Sequence, residues 1–262
     1  MRRYLDLYGL FLLQRFKILL EYRANFAIGA VSTIVMQAAG LATIWVVMQQ
    51  VPEINGWGLD EILLVYGLIT LAKSINHMFA DNLWTIGRNY IRTGAFDRFL
   101  VRPIDPLFHL LADRFCHDGI GNFLVGATLV GRSFSVLGID WTLGNVGVVL
   151  VAVLCGGAIF IALNLITSVS SFWIVESIPV TRAVFETHEF AKFPLTIYPR
   201  AISILLTWLV PYGLASFYPA SYLVGREAGV MAWAALPVSL VLLYLGYRLW
   251  LVGLRHYTST GS

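Results

Sequence analysis

Long uncharged apolar stretches separated by short polar punctuation set the rhythm of this chain. One lies between Arg23 and Glu53, a second fills Trp141 to Val175, a third runs from Ala201 to Gly225 and a fourth from Ala228 to Tyr247. A helix needs ~20 apolar residues to cross the hydrocarbon core of a bilayer. A helix at the surface of a soluble domain keeps one polar face, and these stretches have none. They predict membrane spans. A further span starts near Ile62 and carries Lys73, His77 and Asp81 before Trp84. Another is built around the charge-free stretch Gly119 to Gly131 and must begin earlier, taking in Asp113, Arg114, His117 and Asp118 near one end. Trp141 to Val175 exceeds one crossing, so tilt, a kink at Gly156-Gly157 or a short interfacial piece must absorb the surplus.

The first segment has a different pattern. Arg3, Asp6, Gln14, Lys17 and Glu21 share one face at 100° per residue, interrupted by Leu10, while Leu7, Phe11 and Ile18 cover the rest and Arg15 is an exception. That predicts an amphipathic helix lying in the membrane interface; the alternative is an extension of the first span. The expected fold is an all-α integral membrane protein with a single transmembrane domain. An interfacial helix occupies 1–23, spans one and two fill 24–86, and a charged connector takes 87–106. Spans three and four follow in 107–175, a second polar connector in 176–200, spans five and six in 201–255, and a polar tail in 256–262. Pro211 and Pro219 predict that span five is broken or turns back before leaving the membrane.

Lysine and arginine give the orientation. With the N-terminus in the cytoplasm, six spans return the C-terminus there too. Only Arg132 and Arg226 then fall in outer turns and Lys73 within a span, while every other basic residue lies inside. Both polar connectors face the cytoplasm in this topology.

Composition agrees. The chain is 58% hydrophobic and 13% charged, with a mean hydropathy of +0.74, too apolar for a soluble domain that must cover itself with polar surface. A net charge of +3 does not point to nucleic acid, because the basic residues flank spans and form no continuous stripe. Cys116 and Cys155 have no CxxC spacing and read as small buried side chains. The first apolar run is too long and starts too late for a cleavable signal peptide. No GxxxxGK[ST] phosphate loop, HExxH, Cys/His cluster or GxSxG is present, so a nucleotide, metal or catalytic site of a familiar kind is not expected.

Three polar sets remain. Lys73, His77 and Asp81 are spaced four apart on one face of span two, and ionisable groups at membrane depth are a functional signal by default. They either line a substrate path or proton relay, or Lys73 snorkels towards the cytoplasm and pairs with its neighbours or with Asp113 and Asp118. Asp113/His117 and Arg114/Asp118 form i,i+4 pairs at the start of span three, where Gly119, Gly121, Gly126 and Gly131 thin one side for close packing, including between subunits. The third set is GAFDRFLVRPIDPL, residues 94–107. There Phe96, Phe99 and Leu100 point one way and Asp97, Arg98 and Arg102 another, until Arg-Pro and Asp-Pro stop the helix. Such an element suits docking into a groove on another protein; the alternative is a loop that keeps positive charge inside.

The phrases TGAFDRFLVRPIDPL and EFAKFPLTIYPRAISILLTWLVPYGLASFYPASYLVG (Glu189–Gly225) resemble the type-2 class of ATP-binding-cassette (ABC) exporter permeases. Within that class the chain resembles the branch of small bacterial permeases, and the likeness covers nearly the whole chain. The resemblance implies that a separate ATPase subunit carries ATP and Mg, so this chain holds no cofactor and is not itself an enzyme. It also implies a cytoplasmic coupling element of Phe96, Asp97, Arg98, Leu100, Arg102, Pro103 and Asp105, and an elbow formed by the N-terminal helix. Pro211 and Pro219 would shape a span-five bend near the outer surface. A second permease chain, identical or related, would complete the path within the lipids of a bacterial cell membrane. The 14% aromatic content and the lack of a plainly charged midplane cavity lean towards a hydrophobic or amphipathic cargo. Two other readings stay open: a membrane-embedded enzyme acting on lipid through His77 and Asp81 or His117 and Asp118, and a proton-driven secondary transporter using the same groups. The latter would favour matching halves, which the sequence does not show.

Overall fold

The computed structural model describes residues 23–174 and 177–259, with a few positions between 7 and 17. The interfacial helix expected over 1–23 therefore lies for the most part outside the described residues; within it, the Phe11 ring sits 5.9 Å from that of His109. The α-helices are α1 (Arg23–Gln50), α2 (Leu59–Phe79), α3 (Asp97–Leu100), α4 (Pro106–Ala112), α5 (Gly119–Leu137), α6 (Leu143–Ser168), α7 (Ile178–Phe185), α8 (Arg200–Ile204), α9 (Phe217–Leu223) and α10 (Ala235–His256). Among the described residues α1, α2, α5, α6 and α10 are each long and apolar enough to cross a membrane.

Helix α2 is the axis of the bundle. Its first turn carries Asp60 and Glu61, acids that suit the positive end of the helix dipole. The Glu61 carboxylate also accepts from the Gly58 N–H at 2.9 Å, which satisfies one of the orphan amides there. From Ile62 to Ala72 the helix is buried. Helix α5 packs on it backbone to backbone, since a Cβ added at Gly126 would lie 2.9 Å from both the Gly67 carbonyl oxygen and the Leu71 nitrogen. At Gly121 the same atom would meet the Ala30 carbonyl of α1 at 2.8 Å. These two glycines are spent inside the chain, and not between subunits as their spacing also allowed. The long fourth apolar stretch resolves into the 26-residue α6 followed by a 3₁₀ turn, Val169–Phe172.

Each end of the bundle is tied. At one end Arg226 reaches both carboxylate oxygens of Glu61 at 2.8 Å and the Gly56 carbonyl at 2.6 Å, with its guanidinium 4.3 Å from the centre of the buried Trp57 ring. At the other end the 80–118 connector folds under α6 and α10, and this is called the connector end below.

Two expectations are corrected. Helix α5 begins only at Gly119, because the Cys116 N–H turns aside to the Met78 carbonyl at 3.0 Å and 113–118 is not helical. The helical i,i+4 register is therefore missing, and the charges take other partners: Asp113 takes Arg98 at 2.9 Å, Arg114 approaches Asp81 at 3.8 Å, and His117 meets its neighbour Asp118 at 3.2 Å.

The second correction is larger. Residues 176–200 do not stay at the connector end. The chain leaves that end at Ser177, 2.8 Å from Ser171, and climbs along α2 through α7 and the 3₁₀ segment Glu186–Lys192. His188 comes within 3.0 Å of Lys73, and Lys192 lies 4.8 Å from the centre of the Tyr66 ring. The Thr196 carbonyl then accepts from Asn55 at 2.9 Å, at the opposite end. The expected span five is instead a bent pair, Arg200–Leu209 and Tyr212–Leu223, turned by 75° at Val210-Pro211. Its deepest part, near Ala215, packs against Gly156 of α6, and it returns to Arg226 at the end where it began. The segment 177–196, the traverse, thus joins the two ends of the bundle, while the bent pair begins and returns at one end. Pro211 lies in the break. Pro219 lies in the first turn of α9, where a missing N–H costs nothing.

Candidate functional site

In the 94–107 segment, the side chains divide by what they touch. Phe96 and Phe99 are fully buried. The Phe96 ring lies 4.9 Å from Tyr257, 5.6 Å from Phe172 and 6.0 Å from Trp250, so the segment is rooted in α6 and α10. Asp97 accepts from Ser259 at 2.6 Å and from Tyr257 at 2.8 Å, and these bonds hold its carboxyl below the usual range. Tyr257 is pushed up to about 12 by burial and by its bond to Asp97. Arg98 pairs with Asp113 and lies over the Phe99 ring at 4.8 Å. Asp105 caps α4, accepting from the Phe108 N–H at 2.9 Å, and also receives the Tyr247 hydroxyl at 3.1 Å. Arg102 lies 3.1 Å from His109, whose pKa falls through burial and then through that neighbouring charge.

What faces outward is the run Leu100, Val101, Arg102 and Pro103, with Val101 81% exposed. Of the expected coupling set, Leu100, Arg102 and Pro103 stand on this surface with the half-exposed Arg98, while Phe96, Asp97 and Asp105 hold the connector together from within. Val101 was missed. Its signal is position: it follows the last residue of α3, so no helix covers it.

Lys73, His77 and Asp81 together line a cavity of about 250 Å³ with Asn76, Trp84 and Phe185. Asp81 lies beyond the end of α2 and meets Arg114. Lys73 and His77 also open onto a second cavity of about 440 Å³ shared with Ser32, Thr33, Met36, Gln37 and Gly40 of α1, Asn122 of α5, and Glu189 and Lys192 of the traverse. A plainly charged cavity is therefore present at the depth where the sequence had none, because the traverse brings Glu189 and Lys192 to face α2. A hydrogen-bonded chain forms one wall. The Tyr66 hydroxyl donates to Gln37 at 2.7 Å, Gln37 to Asn122 at 2.6 Å, and Asn122 to His77 Nδ1 at 3.0 Å. On the other side Lys192 pairs with Glu189 at 2.7 Å. His188 is a junction: its Nδ1 donates to the Phe185 carbonyl at 2.6 Å, and its Nε2 lies 3.0 Å from both Lys73 and Glu189. Among the described residues Lys73 makes no ion pair with a carboxylate.

His77, Asp81 and Cys116 bring one donor atom each within 4.8 Å of one another. They make a weak metal set. Burial, then the charges of Asp81 and Asp118, push the Cys116 thiol up to about 11, and Asp81 already faces Arg114.

A family model described as ABC-2 family transporter protein matches residues 34–261. The chain belongs to this family. No curated protein and no solved structure matches it. It is an ABC transporter permease, a multi-pass membrane protein that serves as the membrane component of a transporter and is not itself a catalytic subunit. Within this ABC-2 permease the outward face at 100–103 falls inside the matched residues, as does the charged cavity apart from Ser32 and Thr33. The Tyr66–Gln37–Asn122–His77 chain is no proton wire. Two carboxamides interrupt it, and a carboxamide donates and accepts hydrogen bonds without passing a proton along.

Proposed function

We propose that this chain is one half of the membrane part of an ABC exporter. The connector end faces the cytoplasm, and a separate ATPase supplying ATP and Mg docks on Leu100, Val101, Arg102 and Pro103. A second permease chain, the same or related, faces it across the path. Six crossings, with 177–196 as the fifth, leave both termini in the cytoplasm of a bacterial cell. The observation that carries this reading is the division of the connector. An exposed apolar-and-basic face rides on Phe99, which packs against Phe96, and on Phe96, which is seated between Phe172 of the turn after α6 and Trp250 of α10, so a push on that face reaches the bundle without passing through a flexible loop. Proteins recognise such a short mixed face by burying its apolar residues and pairing its charge.

The test is purification of the full chain in mild detergent from its own cell, followed by assay for ATP hydrolysis in the purified material. The expected result is an ATPase subunit in fixed ratio to the permease. Cargo movement by the chain alone in vesicles, with no nucleotide, overturns the proposal.

A further inference from the structure

We infer that the cavity between α1, α2 and the 186–192 segment is an anion site, built to take a phosphate or carboxylate group. Lys73 and Lys192 both line it, against a single lining carboxylate, Glu189. That carboxylate is shared between Lys192 at 2.7 Å and His188 at 3.0 Å. Among the described residues Lys73 has the imidazole of His188 and the face of the Phe185 ring as near partners, with no carboxylate in ion-pair range. Glu186, the next acid along the traverse, is exposed and does not line the cavity. An ammonium at membrane depth is costly unless an anion or strong acceptor reaches it. Here the protein leaves open a volume of about 440 Å³ beside it, within the range of small-ligand sites. The remaining lining adds neutral groups that orient an oxyanion: the Ser32 hydroxyl and the Asn122 amide. Gly40 keeps the α1 side of the cavity open. A Cβ there would stand 2.8 Å from the Tyr66 hydroxyl.

The apolar groove on the opposite flank of α1, lined by Ile34, Ala38, Leu41 and Leu124, is separate. Gln37, bonded to Tyr66 and Asn122, closes the way between the two. A ligand therefore presents its charged group from the side of Ser32 and Met36. Either a lipid head group or a free anion has the required chemistry. The role of the site as a cargo site rests on the exporter reading, but occupancy does not need nucleotide.

The experiment measures equilibrium binding of radiolabelled dihexanoyl phosphatidic acid to the full chain in phosphatidylcholine nanodiscs. Competition is with inorganic phosphate and with uncharged dihexanoylglycerol. Lys73→Met and Lys192→Met each weaken binding at least tenfold, and Lys73→Arg keeps it within threefold. Glu189→Gln tightens binding, since it removes the competing carboxylate, and a misfolded protein cannot give that gain. Inorganic phosphate competing as well as the lipid makes the ligand a free anion; competition only at a hundredfold excess makes it a head group. Dihexanoylglycerol competing equally, or Lys73→Met binding like wild type, overturns the inference. Absence of anion binding by a wild-type chain that co-purifies with its ATPase refutes this inference alone, whereas anion binding by a wild-type chain that recovers no ATPase subunit when purified from its own cell refutes the exporter reading alone.

Discussion

Substituting Phe96 and Val101 separates the two jobs assigned to residues five apart. Phe96 is fully buried, with ring partners Phe99, Phe172, Trp250 and Tyr257. Truncating such a residue leaves a cavity as well as lost transfer energy, and Phe96→Ala should cost about 3–5 kcal/mol in the stability of the connector. Val101 is 81% exposed, so Val101→Asp should change stability by no more than about 0.5 kcal/mol. The same change puts a carboxylate into the apolar centre of the proposed ATPase contact, where an unpaired charge is expensive. The assay is thermal melting followed by a thiol-reactive dye in a Cys155→Ser background, so that the buried Cys116 reports when the connector opens. Retention of the ATPase is measured in parallel. Phe96→Ala should melt well below wild type and lose the ATPase as a consequence. Val101→Asp should melt with wild type and still lose ATPase affinity at least tenfold. A Val101→Asp chain that keeps its ATPase, or a Phe96→Ala chain that melts normally, refutes the division of the connector into root and face.

Single cysteines at Arg182 and Arg200 should be labelled by a membrane-impermeant reagent from opposite sides of the membrane, with Arg182→Cys matching Leu100→Cys; labelling of both from one side contradicts the traverse. The tail contact at Asp97 should have a pH window set by its two partners. The depressed Asp97 carboxyl contributes fully above its ordinary value of about 4 and is lost as pH falls through its lower folded value. The raised Tyr257 phenol contributes fully below about 10 and is lost as pH climbs through about 12. Hydrogen exchange at 255–259 should stay slow between these limits and quicken outside them, with Tyr257→Phe quickened at neutral pH.

The long apolar stretches were legible because span length and lack of charge are properties of single residues summed along a window. That reasoning located the cores of α1, α2, α5, α6 and α10. It misread 176–200. Glu186, His188, Glu189 and Lys192 read as a segment facing water, since each is costly in a membrane when taken alone. In the bundle Lys192 has Glu189, His188 has Lys73 and the Phe185 carbonyl, and Phe185 packs edge-on to Trp84 at 4.8 Å. The cost of burying polar groups depends on pairs, and those partners lie more than a hundred positions away on α2 or close by on the same irregular turn. Aromatics interleaved with the charges (Phe185, Phe190, Phe193) were the one local sign that the segment was not simply solvated.

The misplacement bears directly on function. Were 176–200 confined to the connector end, Lys73 would lose His188, and the wall carrying Glu189 and Lys192 would be gone. The strip on α2 would then be an ion-pairing curiosity at a helix end, as the snorkelling reading held. With the traverse in place, the same residues bound a charged cavity between α1, α2 and the 186–192 segment. That cavity belongs to neither helix alone. It exists because a segment too polar and too interrupted by Pro194 and Pro199 to register as a span runs the length of α2. The bent pair then follows from the traverse: the chain has already reached the far end of the bundle at Thr196, and 200–223 returns to that same end before α10.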